Sequence, residues 1–257
     1  MTRHASRAAL LCALVLASCD KNAVQQVDGP VPAGARIKFF NFGVGAPGVN
    51  FYANETKMTA ISSASELESN LGVAYGGVGA GGFYSALAAG QYTLSGKIAA
   101  ATDKDLAISN LSATLALNKT YSFYQSGFYN TTTKTVDAFI VEDDFVSEFD
   151  YTVAYVRFVH AISNANPMTL YAKNTTTGTE VAVGGEVSYK SGGAFTALPG
   201  GFYDLGTRYA GVSTNAISRT GVSLLAGRVY TIGARGDITV ISTTATNRPF
   251  LDNTANR

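Results

Sequence analysis

The chain has 257 residues, of which 14% are charged and 46% are apolar, and its formal net charge is +1. An average domain carries about 25% charged residues, so this composition excludes a disordered polyelectrolyte, which needs low hydrophobicity and high net charge. The charge balance also lacks the basic footprint of a nucleic-acid-binding protein, so we expect no nucleic-acid partner. The 27 Gly, 14 Tyr and 14 Phe favour strands and turns over helices.

The first residues have the pattern of a secretory signal peptide. Arg3 and Arg7 precede an apolar run at residues 8–17, which is too short to cross a bilayer because a spanning helix needs about 20 apolar residues. A basic start followed by a short apolar run is typical of a signal sequence. The sequence therefore predicts a signal peptide over residues 1–18.

Leu16-Ala17-Ser18-Cys19 follows this run and resembles the lipobox of bacterial lipoproteins, in which the cysteine thiol receives a diacylglycerol. An ordinary signal peptide that ends near a cysteine is the alternative. The resemblance implies lipidation at Cys19, a polar tether over residues 19–34, and a membrane partner reached through the lipid. The expected location is the bacterial cell envelope, at the outer membrane and facing the periplasm or the cell surface.

An internal repeat organises the rest of the chain. Three blocks of the first half recur in the same order in the second half: Ala35–Phe42 with Ala154–Ala161, Leu87–Leu94 with Leu198–Leu205, and Leu115–Tyr121 with Leu224–Tyr230. A unit of this length is too long for a solenoid repeat and indicates two similar domains. We predict a first domain at residues 35–146, a second at 152–244 and a C-terminal tail at 245–257.

Each copy contains seven or eight short runs of alternating apolar residues separated by turns, the last of them at Ile238–Ser242. This spacing predicts an all-β protein with two tandem immunoglobulin-like β-sandwich domains. In the first block, Ile37 and Phe39 alternate with Lys38 and Phe40, which predicts a half-buried strand. Only Ser62–Asn70 suggests a short helix.

Tyr121 and Tyr230 each follow a turn that begins with leucine and each start a strand. A tyrosine at such a position is typical of the tyrosine corner of β-sandwiches, where the hydroxyl bonds to the backbone upstream. A tyrosine simply buried in the core is the alternative.

The blocks of the second copy carry four motifs: Ala154-x-Val-Arg-Phe-Val-His-Ala161, Asn166-Pro-x-x-Leu-Tyr171, Leu198-Pro-Gly-Gly-Phe-Tyr203 and Leu224-x-x-Gly-x-x-Tyr-Thr231. Together they resemble the bacterial envelope family known as domain of unknown function 4397, over 35–144 and 154–242. The resemblance implies secreted or lipid-anchored proteins with tandem all-β, immunoglobulin-like domains and no established catalytic residues. The first copy departs from it at Asn41-Phe42.

Acidic residues crowd the junction between the copies. Glu142, Asp143 and Asp144 precede Glu148 and Asp150, and clustered carboxylates suit calcium, which takes six to eight oxygen ligands. The alternative is a solvated linker whose phenylalanines, Phe145 and Phe149, pack against the two domains. The linker is favoured because the Asp-x-Asp-x-Asp-Gly spacing is absent.

Other candidate motifs point to structural roles. Gly43–Gly48 and Gly77–Gly82 match Gly-x-Gly-x-x-Gly, but strand-like residues follow both, whereas a phosphate site needs a helix N-terminus there. His160 is the single histidine after residue 18 and would have to serve any Ser-His-Asp triad. We interpret it as a hydrogen-bonded structural histidine.

Exposed aromatic rings are the remaining candidates for binding. Five of them flank glycine-rich or threonine-rich turns: Tyr75, Phe83, Tyr84, Tyr124 and Tyr129. Rings at the surface stack on sugars or contact protein partners, whereas alternating rings on a strand are often part of the core.

These observations favour a non-enzymatic envelope lipoprotein that acts in adhesion, assembly or ligand binding and needs no cofactor. Its expected partners are envelope proteins or glycans. The first alternative is a glycan-binding accessory lipoprotein that uses exposed tyrosines. The second is a hydrolase with a carboxylate pair across the domain junction.

The lipid anchor can be tested with Cys19→Ala. We expect this variant to leave the membrane fraction, because several acyl chains together hold a protein firmly whereas the polypeptide has no other predicted anchor. Cys12→Ala, a matched change inside the signal peptide, should leave the protein in the membrane fraction. Sedimentation of the Cys19→Ala protein with membranes after a high-salt wash would contradict the prediction.

Overall fold

The computed structural model describes residues 33–60 and 68–256. The predicted signal peptide, Cys19 and most of the tether lie outside these residues, as does most of the predicted helix at Ser62–Asn70. Glu68, Ser69 and Asn70, the last three residues of that segment, are not helical. No helix among the described residues is long and apolar enough to cross a bilayer.

Nine strands form the first half of the described chain: β1 (Ala35–Val44), β2 (Val49–Ala53), β3 (Thr56–Lys57), β4 (Gly77–Val78), β5 (Ser85–Leu87), β6 (Gly90–Ile98), β7 (Ala107–Leu115), β8 (Thr120–Asn130) and β9 (Thr135–Glu142). A short 3-10 turn, Gly79–Gly82, follows β4. One sheet has the order β4-β1-β8-β9, with β5 also paired to β1, and the other has the order β3-β2-β6-β7.

Nine strands form the second half: β10 (Val153–His160), β11 (Met168–Asn174), β12 (Glu180–Val187), β13 (Ser191–Gly192), β14 (Thr196–Pro199), β15 (Gly201–Arg208), β16 (Ile217–Leu224), β17 (Val229–Arg235) and β18 (Phe250–Ala255). Their sheets repeat the first half, with the orders β13-β10-β17-β18 and β12-β11-β15-β16, and β14 also pairs with β10. The predicted all-β fold of two sandwiches is confirmed.

Each half buries its own apolar core between its two sheets. In the first sandwich the rings of Phe39, Phe51 and Phe123 meet at the centre, and the centroids of Phe39 and Phe51 lie 5.2 Å apart. In the second, Phe158 and Ile232 of one sheet pack with Leu170 and Leu205 of the other. The central strands β1 and β8, like β10 and β17, run parallel to each other.

The last strand lies later in the chain than the sequence predicts. Ile238–Ser242 does not form a strand, and β18 at Phe250–Ala255 completes the sheet from within the predicted tail. The Asp237 carboxylate accepts hydrogen bonds from the amide and hydroxyl of Thr239, and such local bonds favour a turn over a strand. Leu251 of β18 supplies the buried side chain.

A third apolar cluster joins the two sandwiches. Its buried members come from both halves: Phe40, Phe42, Tyr124 and Phe139 from the first, and Val159 and Ala161 from the second. The β1 sheet and the β10 sheet are therefore covered on both faces, and the molecule has four sheet layers. The prediction of a half-buried first strand is wrong, because every residue of β1 except Arg36 is buried.

Both predicted tyrosine corners are confirmed. The Tyr121 hydroxyl accepts a hydrogen bond from the Ala116 amide at 3.1 Å, and the Tyr230 hydroxyl accepts one from the Leu225 amide at 3.0 Å. The tyrosine hydroxyl thus satisfies a backbone donor that the sheet leaves unpaired at the corner.

Candidate functional site

Two buried cations occupy equivalent positions on the central strands and reach across to the opposite sandwich. Lys38 of β1 donates hydrogen bonds to the Ala255 carbonyl and the Asn256 side-chain oxygen, both at 3.2 Å. Arg157 of β10 donates to the Glu142 carbonyl at 3.0 Å and to the Asp143 carboxylate. The same contact therefore occurs twice: the cation of the first sandwich bonds to the second sandwich, and the cation of the second bonds to the end of the first.

The surroundings of the two cations also correspond. Lys38 lies 4.3 Å from the ring centroid of Tyr84, and Arg157 lies 5.0 Å from that of Phe195. A contact in which each half uses the same patch against the other is the geometry of a two-fold interface. The two sandwiches are thus related as the subunits of a symmetric dimer would be, although they belong to one chain.

The Asp143 carboxylate is fully buried and every oxygen has a partner. One oxygen pairs with Arg157, and the other accepts hydrogen bonds from the Ser122 hydroxyl at 2.8 Å and the Tyr84 hydroxyl at 2.6 Å. A buried charge is tolerated only with such pairing, because its desolvation is otherwise uncompensated. Asp143 therefore belongs to the contact between the sandwiches.

The acidic junction differs from both interpretations of its sequence. Glu142 pairs with Lys119 at 2.6 Å, Asp143 pairs with Arg157, and Asp144 is exposed. No group of three or more His, Cys, Asp or Glu suited to a metal ion occurs in the described part of the chain. The less favoured alternative, in which Glu142, Asp143 and Asp144 share one ion, does not fit this arrangement, because the Asp143 carboxylate is already paired with Arg157.

The solvated-linker interpretation is correct for Asp144 but wrong for Asp143. Phe145 of the linker packs on rings from both sandwiches, 6.3 Å from Tyr84 and 5.7 Å from Phe195. The prediction that linker phenylalanines pack against the two domains is confirmed for this residue.

Burial shifts the acidities of the groups at this contact. Desolvation lowers the pKa of Lys38 to about 8, although the negative charge of Asp143 partly opposes this shift. Desolvation and the neighbouring Asp143 charge raise the pKa of the Tyr84 phenol well above its usual range. Tyr84 therefore stays protonated and donates its hydrogen to Asp143.

Two clefts open at the rim of this contact. The first, which we call the Phe83 cleft, has a volume of about 550 Å³ and includes Phe83, Tyr84, Arg228 and the end of β18 in its lining. The second, which we call the Phe195 cleft, has a volume of about 420 Å³ and includes Phe195, Glu142 and Asp144. Both fall in the size range of small-ligand sites, about 300–1,000 Å³.

The predicted aromatic residues have different environments. Tyr124 is 1% exposed and belongs to the cluster between the sandwiches, so its assignment to a binding face is wrong. Tyr129 packs against the first core, and Tyr75 lies half-buried 4.9 Å from the Arg235 guanidinium. Phe83, at 77% exposed, and the half-buried Tyr84 are the two that line a cleft.

Phe83 is held outward by a tight turn. Ala80, Gly81 and Gly82 have φ angles of 50°, 64° and 84°, in the left-handed region that costs energy for a residue with a Cβ. The Phe83 amide closes the turn by donating to the Ala80 carbonyl at 3.2 Å. The turn is Gly77–Gly82, one of the two glycine motifs, and no helix N-terminus follows it.

His160 has a structural role, as predicted. Its Nε2 donates to the Asn166 carbonyl at 3.1 Å, and its Nδ1 accepts from the Ile162 amide at 3.2 Å. Asn41 makes the equivalent bonds in the first copy, to the Pro47 carbonyl and from the Gly43 amide. Burial lowers the pKa of His160, which favours the neutral ring that this pattern requires.

Sequence reasoning missed Lys38, Arg157 and Arg228 as site residues. The signal was present for the first pair, because the repeat aligns Lys38 with Arg157 on strands whose other residues are mostly apolar. A basic residue kept at the same point in both copies indicates a shared contact. The repeat also aligns Arg228 with Lys119, but the sequence does not show that the Arg228 side chain lines a cleft, because its surroundings depend on how the two halves meet.

No protein-family model and no curated protein matches the chain. Among solved structures it is similar to the TIE protein of Bacillus anthracis, with 14% identity and a TM-score of 0.25 over 78% of this chain and 33% of that one. It is also similar to a Bacteroides ovatus protein described as a candidate cell adhesion protein, with 12% identity and a TM-score of 0.22 over 89% and 97% of the two chains. The chain spans about a third of the length of the first protein, and scores this low carry no functional argument.

Removing the carboxylate at the contact should destabilise the whole protein. We expect Asp143→Ala to lower the free energy of unfolding by about 3–5 kcal/mol, because it leaves the buried Arg157 guanidinium unpaired. The matched control is Asp144→Ala, an exposed neighbour whose loss should change stability by less than about 0.5 kcal/mol. Guanidinium denaturation of both variants checks this expectation, and equal losses would contradict it.

Lys38 should make stability depend on pH. Its pKa of about 8 in the folded state lies below the ordinary value of 10.5, so the unfolded chain binds more protons between these values and stability rises with pH there. We expect the free energy of unfolding of the wild type, relative to Lys38→Met, to increase from pH 8 to pH 10. Urea titrations of both proteins measure this difference, and a difference independent of pH would refute the assignment.

Proposed function

We propose that this protein is a non-enzymatic lipoprotein of the bacterial cell envelope that serves as a rigid binding module in adhesion, assembly or ligand capture. The lipobox resemblance at Cys19 supports the anchor, and the four motifs of the second copy support the proposal that the chain belongs to the domain of unknown function 4397 family. In this proposal the lipid holds the chain at the membrane and the double sandwich presents its clefts to envelope partners.

The observation that carries the proposal is Phe83, a ring 77% exposed on a turn of three consecutive left-handed residues. Gly81 and Gly82 adopt this conformation freely, but Ala80 is strained because it carries a Cβ, and strained backbone of this kind clusters at ligand contacts. Aromatic side chains, Phe included, are also enriched in the buried centres of protein interfaces. The Phe83 cleft is therefore our assigned contact site.

A glycan-binding role is the second candidate function. The polar residues Thr254 and Asn256 and the exposed Arg228 line the same cleft as the Phe83 ring. Ligand sites combine an apolar surface with a few placed polar groups in this way.

The proposal can be tested by binding to cell envelopes. We expect residues 19–257 carrying Cys19→Ala, and therefore no lipid, to bind saturably to envelopes isolated from the source bacterium. Phe83→Ala should remove most of this binding, because it deletes the exposed ring. Ile241→Ala, which removes a side chain 96% exposed on another loop, should bind like the parent protein.

Retention of each protein on sedimented envelopes, measured over a concentration series, gives the result. Absence of saturable binding by the parent protein would overturn the proposed function. Equal binding by the Phe83→Ala and Ile241→Ala proteins would overturn the assignment to the Phe83 cleft.

A further inference from the structure

The two clefts at the contact between the sandwiches are equivalent in position but opposite in charge. The lining of the Phe195 cleft includes two acidic residues, Glu142 and Asp144, and one basic residue, Arg157. Arg157 is paired with Asp143 and Glu142 with Lys119, so the unpaired charge at this cleft is the negative charge of Asp144. The lining of the Phe83 cleft contains no acidic residue, and its one charged side chain is Arg228. Lys38 lies directly behind it, bonded to the Ala255 carbonyl at 3.2 Å. The Phe83 cleft therefore has a positive electrostatic character.

Arg228 has lost the partner that its counterpart keeps. In the first sandwich, Lys119 directly precedes β8, the strand that contains the corner tyrosine. The Lys119 carbonyl accepts a hydrogen bond from the Arg36 amide at 2.9 Å, and its ammonium pairs with Glu142. In the second sandwich, the carbonyl of Arg228 accepts from the Tyr155 amide at the same 2.9 Å. The two basic residues thus occupy the same place in the fold.

The residue that corresponds to Glu142 at the end of β18 is Ala255. Each is the last residue of its strand, and each gives its carbonyl to the cation of the opposite sandwich. Ala255 has no carboxylate to offer. Among the ion pairs of the described residues none includes Arg228, so its guanidinium is available to an anion from outside the chain.

The cleft combines this cation with an apolar ring. Phe83 and Arg228 line the same cavity of about 550 Å³, and Thr254 and Asn256 are also part of its lining. A guanidinium recognises a carboxylate with two parallel hydrogen bonds, and an exposed aromatic face suits the apolar face of a sugar ring. A pyranose that bears a carboxylate presents both features at this scale.

An extended peptide fits the site less well. A peptide would have to add a strand to the free edge of β18 and pair with its backbone. Along that edge, the Leu251 carbonyl already accepts a hydrogen bond from Arg219 at 2.6 Å, and the Ala255 carbonyl accepts one from Lys38. Cationic side chains that occupy an edge in this manner protect it against strand addition.

We infer that the Phe83 cleft binds an acidic saccharide, with the carboxylate paired to Arg228 and the sugar ring stacked on Phe83. This inference rests on the proposed function as a binding module and names the class of ligand for its assigned site. The Thr254 hydroxyl, in the same lining, serves the hydroxyls of the sugar, whereas the Asn256 amide already bonds to Lys38 and Thr231.

Titration calorimetry with residues 19–257 carrying Cys19→Ala tests the inference. The probes are trigalacturonate, a hyaluronate tetrasaccharide and sialyllactose, and at least one should bind saturably with a Kd below about 1 mM, which corresponds to about −4 kcal/mol. The methyl ester of the binding probe keeps the sugar but removes the charge, and it should bind at least about tenfold more weakly because the charge-assisted bond is lost.

Two variants test the separate roles of Arg228 and Phe83 in binding. Arg228→Gln and Phe83→Ala should each weaken binding of the acid probe by about tenfold or more, a loss of about 1.4 kcal/mol. Lys173→Gln removes the same charge from an exposed position on β11 and should leave the Kd unchanged. Circular dichroism of each variant confirms that the fold is retained.

Several outcomes would overturn the inference. These are no saturable binding of any acid probe, equal binding of the methyl ester, an unchanged Kd for Arg228→Gln, or equally tight binding of triglutamate, which would assign the cleft to acidic peptides. If the envelopes still bind in a Phe83-dependent manner while all acid saccharides fail, the ligand class is wrong and the proposed function stands.

Discussion

The buried ion pair between Arg157 and Asp143 constrains how the two sandwiches meet. Both side chains are almost fully removed from water, so the attraction and hydrogen bonds between them must offset the desolvation of two charges. Apolar side chains such as Phe40 and Val159 tolerate small displacements of one sheet over the other, but a displaced guanidinium would lose its partner. The polar groups therefore select one relative placement, while the apolar cluster supplies the area that holds the sheets together.

The sequence predicts strands, corners and the duplicated plan because these depend on local patterns. It does not predict that the sheets of β1 and β10 are buried on both faces, because Lys38 and Arg157 are residue types that usually face solvent. Asp143 was misassigned for the same reason, since a run of acidic residues ordinarily marks an exposed linker. Phe83 was predicted as a binding residue because it is an aromatic residue next to glycines. Arg228 is recognised as a site residue only in the structure, where β18 and the Gly79–Gly82 turn lie beside it.

Duplication explains why one contact is built twice and where the halves have diverged. The corner tyrosines, the strand order and the crossing cations are kept in both copies, and Asn41 and His160 anchor the same loop with different chemistry. The two copies differ most at the clefts beside the contact. Lys119 forms an ion pair with Glu142, whereas the residue at the equivalent position beside Arg228 is Ala255, which has no charge. Shared positions thus maintain the frame, and the positions that differ give the two clefts separate chemical characters.

The strand register has a consequence for the path of the chain. Arg36 lies beside Thr120 at one end of the β1 sheet, Glu142 lies beside Tyr121, and Lys38 bonds to Ala255 of β18. The end of β18 therefore lies beside the first half of β1, and domains whose ends lie on one side tolerate rearranged connectivity. The equivalent connection from β9 to β10 uses residues 143–152. A circular permutant that joins residue 256 to residue 33 through a linker of similar length, and opens the hairpin between β8 and β9, would keep every strand neighbour of the native order.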